Sequence, residues 1–450
     1  MIGWKDFVWI AVVAMTGCFS PVGVVSPDAV ADYISHNLPL TVRTGSSDET
    51  HLDVPKPFTV PCADDVFQDL FYWDTYFANL ALLRMDMVEQ ARNNAEDIAS
   101  LIDRYGFMPN ASRKKFLSRS QPPFFTRMVS EVYERTGDRA WLARMYASAC
   151  REHRFWQEKR MSPSGLNRYA GTFDDDEAQR RWGRKFCRRI GVPEPSDDAT
   201  LLRYGACFMS YAESGWDCTS RFRYNAQDAN WTCHNALLYG MECDLARFAG
   251  ILGKPDDAAA WRTAATKRKD LMNELMWDEA AGMFCDYDYV RRQKSGMVSA
   301  AAFYPLFTGL ATPQQAARTR ALLKKLEFEF GVVGCENRNL QNLQWDYPHV
   351  WAPIQYIVIE GLRRYGYAED ARRIAGKFRR TVEKTFADTG LLWEKYDVRT
   401  GGVSVSKEYA TPRMLGWTAG VYVACGDGED LTNVGLKSES HEKERKTQHE

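Results

Sequence analysis

Val88-Glu89-Gln90-Ala91-Arg92-Asn93-Asn94-Ala95-Glu96-Asp97-Ile98-Ala99-Ser100-Leu101-Ile102-Asp103-Arg104-Tyr105-Gly106 is the stretch that decides the fold. Val88, Ala91, Ala95, Ile98, Ile102 and Tyr105 step by 3, 4, 3, 4 and 3. That spacing puts all six on one face of a helix. Gly106 ends it, because glycine takes the left-handed C-terminal conformation without a steric penalty.

The same period recurs outward along the chain. Ser26-Pro27-Asp28 predicts a helix start, followed by Val30, Ile34 and Leu38 four apart. Residues 41–66, with three prolines, read as loop, and 71–85 as a helix apolar on most sides. Pro122-Pro123 open a helix to about Arg135. Beyond Gly137-Asp138, another carries Trp141, Met145, Ala149, His153 and Trp156 on one face. Helices are also expected over 226–252, 256–277, 297–309, 314–327, 353–365, 368–387 and 414–425. Trp277 to Phe284 reads as a turn into a short extended piece.

Residues 162–205 are predicted to be a long irregular loop, a lid or insertion. They hold Pro163, Pro193 and Pro195 and the charge clusters Asp174-Asp175-Asp176-Glu177 and Arg188-Arg189. Almost no alternating strand pattern appears, so the chain is predicted to be all-α. Helical hairpins joined by short turns on one side, with longer loops on the other, are naturally arranged as a closed ring. Periodicity alone yields only the all-α class.

Lys+Arg (58) nearly balance Asp+Glu (59), and no basic stripe stands out, which argues against nucleic acid as a partner. Trp (14) and Tyr (21) are abundant enough to line a cavity, although both also fill cores. Lys5 precedes the apolar run Phe7–Gly17, which reads as an export signal too short to be a membrane span. Met15-Thr16-Gly17-Cys18 loosely matches a lipoprotein cleavage site, with Cys18 as the lipid anchor. The 11 cysteines form no C-x-x-C pair, so no zinc or thioredoxin-like site is signalled. Cysteines used as small apolar residues argue mildly against an oxidising compartment, in tension with export.

Irregular segments gather rings beside hydrogen-bonding groups. Ala212-Glu213-Ser214-Gly215-Trp216-Asp217-Cys218-Thr219-Ser220-Arg221-Phe222 has no running period, and Ser214-Gly215 puts Trp216 and Asp217 on irregular backbone. Phe71-Tyr72-Trp73-Asp74-Thr75-Tyr76 places a carboxylate among rings. Asn110 and the run Leu117-Ser118-Arg119-Ser120-Gln121-Pro122-Pro123 add amides and a guanidinium. Gln344-Trp345-Asp346-Tyr347-Pro348 repeats the Trp–Asp pair, and Glu394-Lys395-Tyr396-Asp397, Glu408-Tyr409 and Gly416-Trp417 complete the set. Each has a plain structural reading. Asp217 and Asp74 can cap helices, Arg221 can pair with Asp217, Arg119 can close a loop, and 395–397 can be surface charge. Together they supply the apolar faces and polar groups that a polyhydroxyl ligand requires.

From about Val60 to Val421 these motifs, in order, resemble the trehalases, glycoside hydrolase family 37. The resemblance implies an (α/α)6 barrel and metal-free, cofactor-free inverting hydrolysis of an α-glucosidic bond in a small carbohydrate. It implies Asp217 as general acid and Glu394 as general base. Trp73, Asp74, Asn110, Arg119 and Glu408 match sugar-contacting positions, and Phe67, Gln121, Gly215, Trp345, Asp346 and Trp417 join them as substrate-binding candidates. Residues 1–25 then read as the signal or lipoprotein segment, 26–430 as the catalytic domain and 431–450 as a disordered polar tail. A monomer is expected.

Two departures bear on substrate. Val66 stands where trehalases carry a substrate-binding arginine, and no Arg-Pro-Arg-Pro-Glu-Ser-Tyr run occurs in 168–200. The first sugar subsite is therefore expected to be intact and the leaving-group subsite rebuilt, with Arg168, Arg180 or Arg181 supplying the missing charge. The alternatives are a glycosylglycerate or α-mannoside hydrolase on the same barrel, or a non-catalytic sugar-binding protein. A binder needs neither Asp217 nor Glu394.

Overall fold

The computed structural model describes residues 27–45, 48–64, 66–336, 343–406, 410–413 and 416–426. The apolar run Phe7–Gly17, Cys18, Glu408 and the 431–450 tail lie outside them. Its helices are α1 (Pro27–Asn37), α2 (Tyr72–Arg84), α3 (Val88–Tyr105), α4 (Phe125–Thr136) and α5 (Arg139–Lys159). Then follow α6 (Asp176–Ile190), α7 (Asp198–Ser214), α8 (Thr232–Ile251), α9 (Pro255–Leu275) and α10 (Tyr304–Phe307). The last are α11 (Pro313–Arg320), α12 (Leu323–Leu326), α13 (Ala352–Arg364), α14 (Ala368–Thr389) and α15 (Gly416–Gly426).

Packing closes a ring. α2 lies on α4, α4 on α8, α8 on α10, α10 on α13 and α13 on α15, and α15 returns to α2. These six form the inner layer. Outside, α3 packs on α2 and α4, α5 on α4 and α8, α9 on α8, α14 on α13 and α15, and α1 on α14. The pair α11–α12 fills the corresponding place in the chain between α10 and α13. This is the (α/α)6 barrel. Side-chain chemistry sorts the layers. α2 and α15 bury residues on nearly every side, whereas α3 and α14 bury one stripe and expose the other.

Where α2 crosses α15, the backbones approach closely. A Cβ on Gly420 would collide with the Phe77 carbonyl oxygen, so only glycine fits there. Gly106, with φ +82°, ends α3 as its sequence predicts.

The expected loop over 162–205 is corrected. It contains α6 and the first half of α7, a hairpin inserted between α5 and α8. Its charge clusters are helix-end chemistry. Asp175 accepts from the Ala178 N–H and Asp197 from the Thr200 N–H, capping α6 and α7. Asp176 and Glu177 sit in the first turn of α6 and Arg188 and Arg189 in its last, each opposing the helix dipole. Pro193 and Pro195 fall in the turn between the two helices. Likewise 212–214 is the last turn of α7, and the irregular backbone begins at Gly215, with φ +72°. The helix expected over 297–309 is also shorter, a 3₁₀ turn at Ala300–Phe303 leading into α10.

Connections from inner to outer helices are short: 85–87, 137–138, 252–254, 308–312 and 365–367. Those from outer to inner helices are long: 38–71, 106–124, 160–231, 276–303, 327–351 and 390–415. The long ones therefore share one end of the barrel. Gly420→Ala is expected to lower stability by about 1–3 kcal/mol through overpacking against α2. Urea denaturation, with the helical circular dichroism of the folded state unchanged, checks this.

Candidate active site

The mouth of the barrel holds a cavity of about 430 Å³. Five of the six long connections, with the first turns of α2 and α15, contribute to its wall. Phe67, Trp73, Asp74, Asn110, Arg119, Gln121, Gly215, Asp217, Trp345, Glu394 and Trp417 all line it. Residues spread over 350 positions thus converge on one cavity. Asp346 does not line it. Its carboxylate accepts from Thr219 Oγ1 at 2.8 Å and from the Ser220 N–H at 3.0 and 3.2 Å, so it ties the 217–222 segment to the 343–351 segment.

Local hydrogen bonds explain how each segment is held. The Gln121 side-chain oxygen accepts from the Trp73 N–H at 3.2 Å and the Asn110 carbonyl from the Tyr72 N–H at 3.1 Å, so both satisfy open donors at the start of α2. Asp74 is in that same first turn. The Asn110 amide donates to the Ala212 carbonyl at 3.3 Å, joining this wall to α7.

Glu213 is fully buried at the end of α7. It takes two bonds of 2.8 Å from the Arg160 guanidinium, one of 2.9 Å from the Ser120 N–H and one of 2.7 Å from the Ala170 N–H. Trp73 then packs directly on Gly215, where a Cβ would lie 2.8 Å from its ring. Asp217 follows two residues later.

On the opposite wall His349–Trp351 pairs antiparallel with Lys395–Asp397, with Trp351 opposite Lys395. The Lys395 ammonium donates to Glu394 Oε2 at 2.7 Å and stands 4.9 Å from the Trp351 ring centre. The Trp417 N–H donates to the Glu394 carbonyl at 3.0 Å. Trp216, Trp345 and Trp351 stack in sequence, with centroids 5.4 and 4.1 Å apart. Trp73 and Trp417 meet this stack at its side.

Burial raises the Asp217 pKa, against the pull of Arg189, Arg119 and Lys185. Asp74 is pushed up to about 8, by burial first and then by the negative charge of Glu394 and Asp217. At neutral pH Asp74 is therefore a hydrogen-bond donor as well as an acceptor. The Arg119 guanidinium is brought down to about 10 by burial, opposed by Asp217 and Glu213.

The simple structural reading that paired Arg221 with Asp217 is replaced. Arg221 bonds Asp286 at 2.7 Å, and Asp217 faces Arg189 at 3.6 Å. Val66 is 49% exposed and does not line the cavity. The three arginines expected to replace its charge do not line it either. Arg168 donates to the Tyr289 hydroxyl at 3.1 Å and Arg180 to Asp198 at 2.6 Å, while Arg181 is exposed. The cavity cations that the sequence reading missed are Arg113 and Lys115. Arg189 escapes a sequence reading because the prolines and charge runs around α6 look like loop. With a helical period, Lys185 and Arg189 fall four apart on one face.

A six-hairpin barrel with a carboxyl-lined aromatic cavity at its loop end defines a glycoside hydrolase of the helical-barrel class. The trehalase family model matches residues 29–426. A periplasmic trehalase of Pseudomonas aeruginosa is 32% identical over 429 residues, covering 88% of this chain and 76% of that one. The neutral trehalase of Saccharomyces cerevisiae superposes with a TM-score of 0.70 at 27% identity, covering 90% of this chain and 82% of that one. A GH63 mannosylglycerate hydrolase of Thermus thermophilus shares the fold, with a TM-score of 0.59 at 19% identity over 81% of this chain and 95% of that one. The chain belongs to the trehalase family.

Asp74 also makes stability depend on pH. A carboxyl held protonated to about 8 in the fold, against about 4 unfolded, binds more protons when native between those values. Its contribution to stability therefore falls as pH rises from about 4 to about 8. Asp74→Asn is expected to flatten that decline, read by urea denaturation of both proteins at the two ends of the window.

Proposed function

We propose that this enzyme hydrolyses α,α-trehalose, with inversion, to glucose. Family membership supports the substrate, and the observation that carries the chemistry is the convergence of Asp217 and Glu394 on one aromatic cavity. Asp217, its pKa raised by burial, delivers a proton to the glycosidic oxygen. Glu394, ion-paired with Lys395, takes a proton from the water that attacks the anomeric carbon from the opposite face. That geometry requires about 6.5–9.5 Å between the two carboxyls. Trp73, Trp345 and Trp417 offer faces and edges to the apolar side of the sugar, and Asp74, Asn110, Arg119 and Gln121 offer polar contacts to its hydroxyls. Outside the described residues, Glu408 is proposed to complete that set.

The relatives' periplasmic names, together with the apolar run Phe7–Gly17, support export from the cytoplasm. A second reading, an α-glycoside of glycerate, is favoured by Arg113, Lys115 and Arg119 at the cavity wall, since cations suit a carboxylate in the leaving group. A release assay comparing trehalose with α-glucosyl- and α-mannosylglycerate decides between them.

Asp217→Asn and Glu394→Gln are each expected to cut turnover by about 10²–10⁴-fold, the share of a general acid or base. Folding should be retained. On α-glucosyl fluoride, whose leaving group needs little protonation, the Asp217 variant should recover far more than the Glu394 variant. NMR of the nascent products from wild-type enzyme on α,α-trehalose should show β- and α-glucose in equal amounts, the β anomer from the attacked sugar and the α anomer from the leaving one. Release of α-glucose alone would refute this assignment.

A further inference from the structure

Helix α6 stands beside the acid without lining the cavity. Arg189, in its last turn, places Nη2 3.6 Å from Asp217 Oδ2 and donates from the same nitrogen to Gln344 Oε1 at 3.1 Å. Its guanidinium lies 5.3 Å from the Phe208 ring centre on α7, and its side chain is 15% exposed. Asp217 and Gln344 both face the cavity and come from different connections. Arg189 therefore sits one contact behind the wall and joins its two sides.

We infer that Arg189 is a positioning residue for proton donation, orienting the Asp217 carboxyl and stabilising the negative charge that forms on it as its proton leaves. This rests on Asp217 being the general acid. In the step, the Asp217 proton passes to the glycosidic oxygen, and the C–O bond breaks with its electron pair going to that oxygen. A water oxygen bonds the anomeric carbon and loses its proton to Glu394. Asp217 is neutral before the step and an anion after it. A fixed cation beside it gains attraction only as the reaction proceeds, which is the kind of interaction that lowers a barrier.

The same cation makes the acid stronger and narrows the pH range over which it stays protonated. Other charges facing Asp217 are Lys185 on α6 and Arg119 on the 106–124 connection. Asp74 on α2 lies within reach of both Asp217 and Glu394. Neither Lys185 nor Arg119 has a salt bridge to Asp217 within 4 Å among the described residues. Arg189 therefore has a geometric role that they lack.

The test is the pH profile of kcat/KM for wild type, R189Q and R189K on trehalose and on α-glucosyl fluoride, with thermal denaturation as the check on folding. R189Q should move the alkaline limb to higher pH. It should also lose about tenfold or more on trehalose, a part of the ~10²–10⁴ that a general acid supplies, while losing far less on the fluoride. R189K keeps the charge but not the planar fork, and should show both effects to a smaller degree. If R189Q does not fold, R189K alone is read for a limb shift in that direction. An alkaline limb that stays at its wild-type position, or equal losses on the two substrates, overturns the inference while leaving the hydrolase reading intact. A wild type inactive on both substrates overturns that reading, and the inference with it.

Discussion

The rest of the active site depends on the burial of one charge. Glu213 is inaccessible to solvent, and a carboxylate in that position is tolerated only when it is paired and hydrogen-bonded. Four donors from three parts of the chain meet that requirement. Ser120 brings in its neighbours Arg119 and Gln121. Arg160 and Ala170 fix the course of the chain after α5. Glu213 itself fixes the end of α7, four residues before Asp217. Satisfying a single buried group thus holds two walls of the cavity, the 106–124 and 160–231 connections, in register.

The remaining walls are joined by aromatic contact. Arg221 lies 4.5 Å from the Trp216 ring centre, Trp216 stacks on Trp345, Trp345 on Trp351, and Lys395 faces Trp351. The column runs from the residue beside Asp217 to the residue beside Glu394. Each ring pair is worth about 0.5–1.5 kcal/mol beyond its area, and the terminal cations add to this. Rigid indoles also lose little conformational freedom on ordering, so the column holds two distant connections in place where flexible side chains would not. Asp346, buried alongside and bonded to Thr219 and Ser220, braces the same joint. Its place in a Trp–Asp motif that resembles Trp73-Asp74 conceals a different duty.

Four carboxyls line the cavity; Asp69 is paired with Arg113 at 3.0 Å, and the surroundings of the other three separate them. Asp217, its side chain 36% exposed, has Arg189 and Arg119 near it, the partly exposed Asp74 has two anions for neighbours, and the buried Glu394 has an ammonium at 2.7 Å. The carboxyl group thus meets three different electrostatic surroundings within one cavity.

The sequence by itself determined most of the helices outside 162–205, the Gly106 stop and the motif residues. These are local properties: Val88–Tyr105 carries its own period and Gly106 its own stop. It also determined that Trp216 and Asp217 leave a helix, because Gly215 cannot be read otherwise. It misread 162–205, because prolines and charge runs look alike whether they line a loop or cap two helices; only the Asp175 and Asp197 side-chain bonds distinguish them. The tertiary structure alone decided that Arg189, and not Arg168, Arg180 or Arg181, reaches Asp217. It alone decided that Asp346 braces the wall instead of lining it. Both are matters of which face of a helix or loop meets a partner outside its own element, 28 residues on for Arg189 and Asp217 and 127 residues apart for Thr219 and Asp346, and no local pattern encodes that meeting.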